Sequence, residues 1–181
     1  VQVDGGILRS TADAPAFLHN FNPGAVVIES GGLLLDNAGF DVSILSPLSG
    51  PGALHVTGTG AVRLYDDHDF TGGAFISNGL FSVNALLASD VTVHPGATLA
   101  GVGTIGGSAS LATNTFLSPG DDTLSPLTIA GNAALDSNFV YRWESDGVDA
   151  DSVTVSNVLT FPPGGAWTVA LADYGLVPEP T

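Results

Sequence analysis

The densest group of side chains able to do chemistry is the stretch YDDHDF, where Asp66, Asp67, His68 and Asp69 follow one another. Carboxylates beside an imidazole can move protons or hold a metal ion, and acids on a sheet face can cleave glycans. On a strand, successive side chains point to opposite faces, so Asp67 and Asp69 share one side while Asp66 and His68 share the other. That division works against convergence of all four, and the competing reading is a solvated turn.

A second acidic group, ESDGVDADS, offers Glu144, Asp146, Asp149 and Asp151 as candidate calcium ligands. It lacks the D-x-D-x-D-G order and closing Glu of an EF-hand loop and the G-G-x-G-x-D nonapeptide of calcium-binding β-rolls, so a polar turn competes here too. Asp121 and Asp122, in SPGDD, make a weaker pair. His19, His55, His68 and His94 contain no H-x-x-x-H spacing and are read as surface residues. Tyr141 and Trp143 stand two apart on one strand face, which suits stacking on a sugar ring; core filling or end capping explains them equally well. GVGTIGG imitates a dinucleotide fingerprint, but no helix follows to receive a phosphate, and no G-x-S-x-G elbow occurs. No catalytic residue is assigned, the chain is expected not to be an enzyme, and calcium is the one cofactor kept in view.

These residues must be positioned by short elements. Of 181 residues, 44% are hydrophobic and 12% charged, with 24 Gly and 11 Pro. Apolar clusters such as GAVVIESGGLLLD are cut by Gly or Pro within about eight residues, too soon for helices. Alternation instead marks about eighteen strands, among them Ala53 to Thr57, Ala61 to Tyr65, Gly73 to Ser77, Leu80 to Asn84 and Val91 to His94. The formula of short run, Gly-containing turn and short run recurs in VVIESGGLLLDNAGFDVSI, AFISNGLFSVN, VTVHPGATLAGVGTIGG and LTIAGNAALD. Repetition at that period signals a solenoid. The expected fold is all-β, a single-stranded right-handed parallel β-helix of roughly nine coils of about twenty residues, forming a rod about 40 Å long.

Charge narrows the partners. Eighteen acidic residues face three cations, Arg9, Arg63 and Arg142, for a formal charge of −15. Three cations cannot neutralise a row of phosphates, which excludes nucleic acid, and an anionic membrane surface repels such a chain. There is no cysteine, hence no disulfide or thiolate metal site. No apolar run reaches about 18 residues and the chain starts at Val1, so neither a spanning helix nor a signal peptide is expected and the chain reads as a mature or excised segment.

In order along the chain, GPGALHVTGTGAVRLYDDHDFTGG, ISNGLFSVN and VTVHPGATLAGVGTIGG resemble the autotransporter-associated β-strand repeat, also called the passenger-associated transport repeat. With LSPGDDTLSPLTIAGNAAL and YRWESDGVDADSVTVSNVLTF the resemblance spans about residues 24 to 161. It implies a right-handed parallel β-helix on an exported bacterial surface protein, acting as stalk, adhesive or passenger scaffold, and brings no catalytic residues. The 181 residues depart from the autotransporter arrangement in containing no membrane strands of a translocating barrel. LVPEPT, Leu176 to Thr181, resembles the start of a PEP-CTERM sorting signal, without its membrane helix and basic tail. This implies export in a Gram-negative-type bacterium that makes extracellular polysaccharide.

The expected layout is therefore one repeat domain over residues 1–175 and a proline-rich tail over 176–181. Its residues of structural interest are the turn glycines Gly72, Gly73, Gly79, Gly96, Gly101, Gly103, Gly106 and Gly107. A solenoid has two ends with unpaired strand edges, and the expected partner is a second copy stacked head to tail, with extracellular polysaccharide or a cell surface beside it.

Overall fold

The computed structural model describes residues 1–121, 123–146 and 148–173. The proposed tail at 176–181, Asp122 and Gly147 lie outside the described residues. Every regular element within them is a strand, 23 in all, and no helix is long and apolar enough to cross a membrane. All strand-to-strand pairings between these elements are parallel, and on the two continuous faces each strand pairs with the equivalent strand of the next coil. The chain is a β-solenoid of about seven turns.

Two of its faces are unbroken eight-stranded sheets. The first face runs from Gly6–Arg9 through Leu54–Thr57 and Val91–Val93 to Leu159–Thr160. The second runs from Ala14–Leu18 through Ala61–Leu64 and Thr98–Gly101 to Trp167–Asp173. Alternation along each strand decides what goes inside. Leu33, Leu54, Ala74, Val91, Ala109 and Ala133 stack inwardly on the first face. Val42, Val62, Phe81, Leu99 and Leu117 do so on the second. All of these are 3% exposed or less, and burying each large one contributes about 1.5–3 kcal/mol.

The third face is discontinuous. Gln2–Val3, Val26–Ile28 and Leu48–Ser49 form a three-stranded sheet, and Leu86–Leu87, Thr104–Ile105, Pro126–Ile129 and Ser152–Val155 a four-stranded one. Between them the fourth coil contributes no strand, only an isolated parallel bridge from His68 to Leu87.

The coil count is lower than the expected nine because the coils differ in length. The step from Ala74 to Val91 is 17 residues, whereas Gly6 to Leu33 takes 27 and Ala133 to Leu159 takes 26. The longer steps near the two ends bring the average between Gly6 and Leu159 to about 22 residues, and the residues outside that span account for the rest of the difference. At about 4.8 Å per turn the stack is about 34 Å long.

Glycine is required on two counts at Gly101, where φ is +121° and a Cβ would press on the backbone of Val83 in the coil below. Gly73, Gly79 and Gly96 also have positive φ, whereas Gly72, Gly103 and Gly107 have ordinary φ and are confined by the neighbouring coil's backbone. Gly106 has neither requirement in full, since its nearest neighbour would be 3.3 Å from a Cβ.

Candidate functional site

The Asp66–Asp69 segment is not a solvated turn throughout. The alternation anticipated there holds, with Asp67 and Asp69 exposed, but it carries His68 into the interior at 1% exposure, followed by the fully buried Phe70. His68 is thus a correction to the surface assignment; His19, His55 and His94 are exposed. The segment laces three coils together. The Asp69 amide donates to the Leu48 carbonyl at 3.0 Å, the His68 amide to the Leu86 carbonyl at 2.7 Å, and the Ala88 amide to the His68 carbonyl at 2.9 Å. Asp67 Oδ1 accepts from the Leu86 amide at 3.0 Å.

The imidazole joins this lacing as an acceptor. The Leu48 amide donates to His68 Nδ1 at 3.0 Å, so Nδ1 holds a lone pair and the ring proton is on Nε2, which has no hydrogen-bond partner. Burial pushes the imidazole pKa down to about 4, against the opposing pull of Asp66, Asp67 and Asp69. A side chain so placed cannot meet a substrate alongside the exposed Asp67 and Asp69.

The four candidate calcium residues also separate. Asp146 Oδ1 accepts from the Val148 and Asp149 amides at 2.9 and 2.8 Å, closing a turn that holds its own carboxylate below the usual range. Ser145 and Ala150 bridge antiparallel behind that turn, and the Asp151 amide donates to the Glu144 carbonyl at 2.9 Å. Asp151 itself points inward, 2% exposed, with Oδ1 accepting from the Ser125 amide at 3.1 Å and Oδ2 without a partner. Burial raises its pKa, and the Ser125 hydrogen bond opposes the rise. Among the described residues no three His, Asp or Glu side chains stand close enough together to hold a metal ion.

Tyr141 lies on the inner side of its strand, paired in register with the buried Leu117, and burial first and Asp151 second push its pKa up to about 12. Trp143 shares that face and is half-buried. Neither is an open stacking platform. Trp167 is the more open ring, 54% accessible and lying nearly parallel to the buried Phe139 ring at 6.1 Å, with the exposed Phe161 beside both. These rings rim an apolar opening of about 250 Å³ at the last described coil, floored by Leu117, Ile129 and Leu135. The alternating WTVAL run marked this strand in the sequence, but not that its inner face would stay uncovered.

The residue that sequence reasoning passed over is Arg63. It projects from the outer side of the second face into a cleft of about 480 Å³ with Asp13, Asp41, Ser43, Tyr65 and Asp121. Its Nε meets Asp121 Oδ2 at 2.9 Å and its Nη1 meets Asp41 Oδ2 at 3.4 Å. The Asp121 side chain is 6% exposed. Burial disfavours the guanidinium charge, and the two carboxylates more than offset this, leaving the pKa above its ordinary value. Asp121 comes from the sixth coil and Arg63 from the third; Ser82 and Ala100, on the outward row between them, are wholly buried. The scarcity of cations was the available signal: Arg63 meets two carboxylates, whereas Arg9 meets Asp36 and Arg142 lies over the Phe116 ring at 4.4 Å.

By its fold the chain is a parallel β-solenoid, with a polar cleft on the outer side of the second face and an apolar opening at the last described coil. Comparison with protein-family models, with curated proteins and with solved structures returned no match.

Proposed function

We propose that the chain is a non-enzymatic scaffold of an exported bacterial surface or extracellular-matrix protein, a right-handed β-helix of the autotransporter-associated repeat type that stacks end to end or serves as an adhesive stalk. Right-handed winding accords with the general preference of parallel strand connections. One observation carries the reading. Among the described residues the outer edges of the last coil, Ser152–Val155, Leu159–Thr160 and Trp167–Asp173, have no strand upon them, and the apolar interior opens there beneath Phe139, Phe161 and Trp167. Among the described residues no strand lies on the outer side of Gln2–Val3, Gly6–Arg9 and Ala14–Leu18 either. In a parallel stack the upper edge of any coil complements the lower edge of the next, so a strand edge left open in the assembled protein can be met by a second copy, through a contact that repeats without closing. The motif order set out above and the VPEP stretch support export and a Gram-negative-type host.

Negative-stain electron microscopy with light scattering on the 181-residue chain tests this. The expected result is fibres, or a mass rising with concentration, with an axial repeat of about 34–40 Å set by the coil spacing. Isolated short rods at every concentration overturn end-to-end stacking. A second reading, a saccharide ligand, is favoured by the cleft in which Arg63, Asp13, Asp41 and Tyr65 offer donors and acceptors together. Calorimetry with soluble polysaccharides, and separately with calcium, distinguishes such a binding module from an inert rod.

A further inference from the structure

The third face is broken once, and a titratable side chain stands in the break. His68 occupies the inward ladder position otherwise held by Leu87, Ile105 and Ile129, which pair in register with one another above it. Below it, the Leu48 amide has no backbone strand of the fourth coil to bond and uses the imidazole instead. That hydrogen bond requires a lone pair on Nδ1. An imidazolium is a donor at both nitrogens, so protonation removes the acceptor, turns it against the Leu48 amide, and leaves a charge among buried aliphatic side chains.

We propose that His68 is an acid-released latch that holds the two halves of the third face together, and that its protonation opens the solenoid locally between Leu48 and Leu87 while the two continuous faces remain paired. The charged groups around the ring are Asp66, Asp67 and Asp69, all on its own segment, and the adjoining Leu48–Ser49 and Leu86–Leu87 strands bring none. Asp67 is itself tied to the Leu86 amide. None of these carboxylates is hydrogen-bonded to the ring; their field only moderates the effect of burial.

The sign follows from linkage. The folded imidazole pKa of about 4 lies below the ordinary 6.5, so the opened segment binds a proton more readily than the closed one. The latch is fully engaged above pH 6.5 and weakens as pH falls from 6.5 toward 4. Between pH 8 and pH 5 those two values correspond to an increase of about thirty-fold in the local opening constant.

Hydrogen exchange read by mass spectrometry on the full chain, corrected for intrinsic exchange, tests the latch at pH 8, 6.5 and 5. Peptides containing the Leu48, Leu86 and Ala88 amides are expected to lose protection on acidification, while peptides from Leu99 and Leu117 hold theirs. In His68→Asn the amide oxygen can take the place of Nδ1 as acceptor and does not titrate, so the difference between pH 8 and pH 5 is expected to vanish. An equal loss of protection in wild type and His68→Asn overturns the proposal. If that variant does not fold, NMR titration of the wild-type ring decides: titration clearly below pH 6, together with exchange at Leu48, supports the latch, and titration at pH 6 or above overturns it.

Discussion

The coils at the centre and the last described coil carry the same kind of sequence and meet different fates. Phe81 and Leu99, on the second face at the centre, are 0% exposed, whereas Val169 and Leu171, on the same face of the last coil, are 41% and 72% exposed. Alternation in both places directs one row inward. Only at the centre is that row closed from above and below, so in a solenoid an inward direction becomes burial only when another coil is added. The sequence pattern specifies direction, and stacking supplies the core.

The largest effect that can sharpen this contrast is a cavity at the centre. Phe81→Ala is expected to cost about 3–5 kcal/mol in denaturant unfolding, because neighbouring coils cannot collapse into the space. Leu171→Ala in the isolated chain is expected to change stability by about 0.5 kcal/mol or less. A comparable loss at Leu171 would mean that the last coil is closed over. Next come the turns. Gly101→Val, at positive φ and against the Val83 backbone, is expected to cost several times more than Gly96→Ala. Gly96 also has positive φ but opens to empty space, and the substitution there is expected to cost about 1 kcal/mol. Equal costs would show that backbone conformation, and not approach of the coil below, sets the glycine requirement.

The smallest effect concerns Asp151 near the open end. Its folded pKa is raised, so the folded state favours the protonated form, and this carboxylate disfavours folding at neutral pH and ceases to do so as pH falls through the folded value. Asp151→Asn keeps an acceptor for the Ser125 amide and is expected to hold or slightly raise the melting temperature at pH 7 while removing that contribution to the pH dependence. A clear loss of stability at pH 7 would show that the charge itself has a use there, such as a bound cation.

Much of the fold was legible because period-2 alternation and turn glycines are local signals. Eighteen strands were marked, and each overlaps one in the structure. The strands passed over include Leu48–Ser49, Leu86–Leu87 and Thr104–Ile105, two-residue segments of the third face that are too short to alternate and exist only through pairing with neighbouring coils. Gly6–Arg9 and Ala14–Leu18 were passed over as well, in the long first coil where the repeat is least regular. Around His68 the alternation was legible, but in the run Asp-Asp-His-Asp letters of one polar class conceal which of the two sides turns inward, and the buried Phe70 that continues it settles the direction. The candidate calcium set failed to converge for a related reason. Asp146 and Asp149 serve their own turn, whereas Asp151 reaches the Ser125 amide 26 residues away in the chain.

The tie between Arg63 and Asp121 has a consequence for how the rod melts. A solenoid whose coils touch only their neighbours behaves as a one-dimensional array, able to fray from either end one unit at a time. A partly buried ion pair reaching from the third coil to the sixth makes the intervening coils share a fate: to free any one of them the pair must break or its whole span must come apart. The middle of the rod should therefore unfold as a single cooperative block, with the coils on either side of it free to fray independently.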